Sequence, residues 1–62
     1  MDKQTAIECV MMITAFGSAN LVHTLTQTHP KSDLLLCVEA AKEQGANRLA
    51  KIFEQAIKAR KL

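Results

Sequence analysis

From Asp33 to the C-terminus, the apolar residues recur at helical spacing. At about 100° per residue, Leu34, Leu35, Val38, Ala41, Gly45, Leu49, Ile52, Phe53 and Ala56 fall within a stripe of about 120°. Glu39, Glu43, Asn47, Lys51, Glu54, Lys58 and Lys61 lie on the other side, so the spacing predicts one amphipathic helix with a solvated back. In the first half, Ile7, Val10, Met11, Leu21, Val22 and Leu25 form a similar stripe with the small polar Thr14 and Ser18 at its centre. Ala6, Cys9, Met12, Ile13 and Phe16 add a second apolar face opposite. A helix that is apolar nearly all round needs neighbours all round.

His29-Pro30-Lys31-Ser32-Asp33 is the strong punctuation between these halves. Proline disfavours a helical residue before it and suits the first turn of a new helix. Ser32 or Asp33 is placed to accept from the free amides of that new helix. No segment alternates as a strand does. The expectation is a helix over about 3–28, a turn over about 29–32 and a helix over about 33–60. Gly17-Ser18 and Gly45 are the places where either helix could break instead. A glycine in mid-helix costs only about 1 kcal/mol, and Gly45 falls on the apolar stripe, where it would permit close helix approach.

Two antiparallel helices cover only one side of each other. The second apolar face of the first helix therefore predicts a homo-oligomer, most simply a dimer. The fold class expected is all-α: an antiparallel helical hairpin, with 1–62 as one domain, dimerising into a four-helix bundle. The length points the same way. At 62 residues the chain sits below the roughly 70–80 residues at which one core supplies more than about 3–5 kcal/mol, so a partner subunit would help. With 48% apolar residues it is too hydrophobic for a disordered chain.

Cys9 and Cys37 form neither a C-x-x-C pair nor a dense framework, and they read as reduced thiols in a cytoplasmic protein. Met1-Asp2-Lys3-Gln4 lacks the basic start of a signal peptide, and Glu8 interrupts the apolar stretch beyond it. Cys9 to Pro30 is a run of 22 residues without Asp, Glu, Lys or Arg, about the length of a bilayer span. Its continuous apolarity lasts only from Cys9 to Phe16, so no membrane span is expected.

Candidate chemistry is sparse. His23, His29, Cys9 and Cys37 are zinc-ligand types, but a hairpin turning at Pro30 places Cys37 level with His23 and Cys9 about 21 Å lower. An antiparallel dimer would bring the partner's Cys37 near the level of Cys9, which permits an intersubunit disulfide or metal site. No short-spaced pair supports zinc, so neither metal nor cofactor is expected. There is no Gly-rich elbow beside a nucleophile and no phosphate loop. Glu39 and Glu43, flanked by Lys42, read as solubilising charges, and the chain is not expected to be an enzyme.

Ala40 to Arg48 superficially resembles a helix-turn-helix, with Ala41 four residues before Gly45. Gln44, Lys51 and Glu54 then occupy positions where that motif needs apolar packing residues. Charge asymmetry says more. The segment up to Pro30 sums to −1 and the remainder to +3, within a net +2. Arg48, Lys51, Lys58 and Lys61, with Arg60, crowd the end of the chain as candidate nucleic-acid contacts, although Lys and Arg also suit a helix C-terminus for dipole reasons alone.

The outline of a helical hairpin of this length pairing into a four-helix bundle resembles the plasmid RNA-binding copy-number regulators of the Rop type, and Met1-Asp2-Lys3-Gln4-Thr5-Ala6-Ile7 is faintly similar. No matching heptad pattern continues beyond it, and the resemblance assigns no functional residue. The functional expectation is a small helical homodimer, of the size phages and plasmids often encode, acting as a regulator or adaptor through protein–protein interaction. Met11, Met12, Ile13 and Phe16 would form its partner or dimer interface, since methionine repacks readily against different surfaces. The competing expectation is an RNA- or DNA-binding dimer that uses the basic C-terminal face.

Overall fold

The computed structural model describes residues 1–17 and 19–60, so Ser18, Lys61 and the expectations attached to them lie outside the described residues. The chain forms α1 (Lys3–Phe16), α2 (Ala19–Thr28), α3 (Lys31–Glu43) and α4 (Asn47–Ala59), with no strand among the described residues. The all-α expectation is met, but the two-helix hairpin is corrected. A continuous helix over 3–28 would be about 39 Å long, whereas the longest extent of the molecule is 27 Å.

Both divisions fall at glycine. Gly17 has φ 61° and ψ 34°, in the left-handed region, and donates its N–H to the Ile13 carbonyl at 2.8 Å. Gly45 has φ 77°. Its N–H donates to the Lys42 carbonyl at 3.1 Å, and the Ala46 N–H donates to the Ala41 carbonyl at 2.8 Å. This pair of bonds is the Schellman arrangement, which satisfies the end carbonyls of a helix and demands a left-handed residue. Gly45 is therefore an exposed turn residue, not a point of close helix approach. A Cβ built there would meet nothing within 4 Å.

The turn expected near Pro30 is present. Pro30 is extended (φ −71°, ψ 165°), and its carbonyl accepts from the N–H groups of Asp33 and Leu34 at 3.1 and 3.2 Å. Neither Ser32 nor Asp33 caps α3: Pro30 holds the N-cap position, both residues lie inside the first turn, and the Asp33 side chain is engaged with His29 and the Met1 amino group. At α1 a true cap exists: the Asp2 carboxylate accepts from the Thr5 N–H at 2.8 Å.

α3 is the central element. It packs most extensively against α4, then against α1, while α2 rests more lightly on α4 and α1. The start of the chain is tied to both ends of α3, Met1 to Asp33 and Lys3 to Glu43, and the Ile7 carbonyl accepts from the Gln44 side chain. Phe53, Leu34, Val10 and Cys37 are the largest fully buried side chains. Ala6, Ala40, Ala41 and Ala50 are buried beside them, and their small size lets the helix axes come close.

The breaks also reset the helical phase. In α1 the buried residues are Ala6, Val10 and Ile13, a face lying between the two stripes read from the sequence. In α4 they are Ala50, Phe53 and Ile57, whereas Ile52 is 43% exposed. Leu35 in α3, also assigned to the stripe, is exposed. The chain thus closes a four-helix core of its own rather than leaving one side of a hairpin bare.

Candidate functional site

Two features remain open on this fold. The first is the outer face of α1. Met11 is 56%, Met12 52% and Phe16 78% exposed, and Ala15 is exposed between them. On a helix these four fall within about 140°, forming one apolar face. Ile13, grouped with them in the sequence reading, is only 5% exposed and belongs to the core. Gly17 ends α1 immediately after Phe16. No later turn of the same helix covers that ring.

The second is an apolar groove of about 400 Å³ between α2 and α4. Ala19, Val22, His23 and Thr26 of α2, with Ile13 and Gly17 at the end of α1, line one side. Leu49, Ile52 and Ala56 of α4 line the other. The light packing of α2 on its neighbours leaves this gap. Its polar side chains are limited to His23 and Thr26. The Thr26 hydroxyl, though buried, donates to the Val22 carbonyl at 2.7 Å and so is already satisfied within its own helix. Sequence reading does not find the groove, since the spacing assigns Leu49, Ile52 and Ala56 to a covered stripe.

Arg48, Lys51 and Lys58 are exposed along α4. None of the three has an ion-pair partner among the described residues, while Lys3 meets Glu43 at 2.7 Å and Lys42 meets Glu54 at 3.4 Å. Lys61 lies outside the described residues. The helix–turn–helix formed by α3 and α4 does not present the packing positions of the DNA-binding motif. Ala50, Phe53 and Ile57 point inward, and Lys51 and Glu54 remain outside.

The titratable cluster of the molecule sits away from the groove. Asp33 accepts from His29 Nδ1 at 3.0 Å and lies 3.3 Å from the Met1 amino nitrogen. The hydrogen bond from His29, helped by the amino terminus, holds its carboxyl below the usual range. Cys37 is buried, and its Sγ lies 4.0 Å from Met1 Sδ. Burial first, then the proximity of Cys9 and Asp33, pushes its thiol up to about 11. The two cysteines are therefore neighbours within one chain, not far apart as in the hairpin. Both are free, and a thiol buried like Cys37 is not placed to bridge to a second subunit. A neutral thiol is also a poor nucleophile and a poor metal ligand. Among the described residues, no three His, Cys, Asp or Glu side chains converge where a metal ion could be held. No helix among them is long and apolar enough to cross a membrane. No family model, no curated protein and no solved structure matches the chain.

Proposed function

We propose that the chain is a small regulatory or adaptor protein that acts as a homodimer through protein–protein contact, without catalysis. The observation that carries this reading is the outer face of α1, where Phe16, Met11 and Met12 stay in solvent although the four helices close a core of their own. Folding alone gives no reason to keep a largely exposed phenylalanine beside two methionines, and such a patch is what contact surfaces are made of.

The magnitude decides how strong the pairing is. Complete burial of one such side chain is worth roughly 1.5–3 kcal/mol. A two-fold pairing of α1 faces would cover Phe16, Met11 and Met12 from both copies. Because these are only partly exposed, the gain is on the order of 8 kcal/mol against an association cost of about 4–15 kcal/mol. The dimer expected is concentration-dependent, not obligate. Light scattering behind size exclusion on the reduced protein tests it, over a wide concentration range. The mass should rise to twice the chain mass, and Phe16→Ala should return it to one while helix content is unchanged. A single-chain mass at every concentration would remove the homodimer.

A second reading is supported by a different observation: Arg48, Lys51 and Lys58 share the outer side of α4 with Gln55 and lack ion-pair partners among the described residues. An RNA- or DNA-binding dimer would use them against phosphates. Its affinity should then fall steeply with salt, and Lys51→Ala with Lys58→Ala should reduce the salt slope by about 1 for each phosphate no longer neutralised. Affinity indifferent to those substitutions would dismiss it.

A further inference from the structure

The groove between α2 and α4 differs in charge from the rest of the surface, and the difference identifies what fits it. Three of the acidic residues elsewhere are paired, Asp33 with His29 and the Met1 amino group, Glu43 with Lys3, and Glu54 with Lys42, while Glu8 and Glu39 stand exposed on α1 and α3. Among the described residues, no acidic side chain lines the groove. Its α2 wall comes from the stretch Cys9 to Pro30, which contains no Asp, Glu, Lys or Arg. Its α4 wall is flanked by cations. Arg48 lies about 40° round the helix from Ile52, and Lys51 about 100° round in the same direction, whereas Glu54 lies about 160° away. A near-neutral molecule thus presents a locally basic, acid-free rim beside an apolar trough.

We infer that this groove receives an amphipathic helix of another protein whose apolar stripe is flanked by acidic residues. The trough runs from Leu49 to Ala56 along α4, about 10 Å or two helical turns, which matches anchors at i, i+3 or i+4, and i+7 of a docked helix. Apolar anchors seat between Ile52 on one wall and Val22 on the other. Acidic flanks then meet Arg48 and Lys51, and basic flanks are repelled. Of the two polar side chains that line the groove, the Thr26 hydroxyl is already bonded to the Val22 carbonyl, so a bare phosphate chain would find only the His23 imidazole along an otherwise apolar trough. This inference rests on reading the chain as a protein-interaction module but not on its being a dimer, so the two fail separately.

The probe is a pair of fluorescein-labelled synthetic helical peptides sharing the same leucine anchors, one flanked by glutamates and the other by lysines. Anisotropy is followed on titration with the intact reduced protein. At low salt the glutamate peptide should bind at least about tenfold more tightly, and the ratio should shrink as salt is added. Ile52→Asp should weaken its binding more than about tenfold. Its circular dichroism should match the parent, because that side chain is already in contact with solvent. Arg48→Glu together with Lys51→Glu should transfer the preference to the lysine peptide. Equal binding of the two peptides, binding by neither, or a preference unmoved by the double reversal would overturn the inference. So would loss of a dimer on Ile52→Asp, which would give the groove to a second copy of the chain. RNA binding that survives Ile52→Asp while the glutamate peptide fails would give the basic rim to nucleic acid.

Discussion

Phe16 and Phe53, the only two phenylalanines in a chain without Trp or Tyr, make a paired test of the fold. Phe53 is completely buried in α4, whereas Phe16 at the end of α1 is 78% exposed. Replacing a buried phenylalanine by alanine removes its transfer free energy and leaves a cavity, together about 3–5 kcal/mol. A core of this size supplies only about 3–5 kcal/mol in all. Phe53→Ala should therefore sit at or beyond its unfolding midpoint in buffer alone. Phe53→Leu, which keeps most of the volume, should cost less than about 1.5 kcal/mol and remain folded. Phe16→Ala should shift stability by no more than about 0.5 kcal/mol. Urea denaturation followed by far-ultraviolet circular dichroism reads all three. It must be run at a protein concentration where the parent is monomeric, since a dimer would add its own stability to Phe16. A cooperative Phe53→Ala transition at the parent midpoint, or a Phe16→Ala variant that unfolds with Phe53→Ala, would refute this placement of the core.

Three local features give further tests. Gly45→Ala should lose about 1–2 kcal/mol, because its positive φ penalises any Cβ even in open space. Thermal unfolding would register this as a fall of several degrees, and an unchanged midpoint would contradict the Schellman turn. For Asp33, a carboxyl held below its usual pKa stabilises the fold at pH values above the ordinary carboxylate range. That contribution disappears as pH falls through the lower folded-state value, because the unfolded chain takes up the proton first. The stability gap between the parent and Asp33→Asn should therefore be open near neutrality and close in acid, and a gap that widens on acidification would reverse the assignment. With the Cys37 thiol raised to about 11, alkylation of the native reduced protein should modify Cys9 well before Cys37. Mass spectrometry of timed samples checks the order, and simultaneous labelling of both would show that Cys37 is not sealed in the folded chain.

Much of the secondary structure can be read from residues whose physics is local. Pro30 ends one helix and begins the next wherever the surrounding chain goes, and the absence of strand alternation holds for the same reason. Gly17 and Gly45 are different. A mid-helix glycine and a helix-ending glycine differ by about 1 kcal/mol, less than tertiary packing can supply, so the sequence leaves both open. The choice then propagates. Once Gly45 turns left-handed, α4 restarts with its own phase, and Ile52 leaves the face to which uninterrupted spacing assigns it. Ala50 and Ile57 take the inward positions. In α1, which ends at Gly17, the buried face narrows to Ala6, Val10 and Ile13. The two stripes seen there merge into one, and half of each is left outside.

The candidate site depends on that same rearrangement. In a continuous hairpin, Leu49, Ile52 and Ala56 belong to the internal seam, and nothing in their spacing marks them as a binding wall. The division at Gly17 shortens α1, lets α2 fold back beside α4, and leaves between them a gap that the uncharged side chains of α2 do not fill. Charge follows topology. The sequence places Arg48 and Lys51 among acidic neighbours of the same helix, so they read as one mixed solvated surface. In the folded chain Glu54 turns to Lys42 of α3, and Glu43 turns to Lys3 of α1. Each of these exposed pairs contributes little to stability. Their consequence is spatial, because drawing the acids to the α3 side leaves the groove edge with cations alone. A net charge of +2 thereby resolves into an apolar trough with a one-signed rim, which is the property a partner helix would recognise.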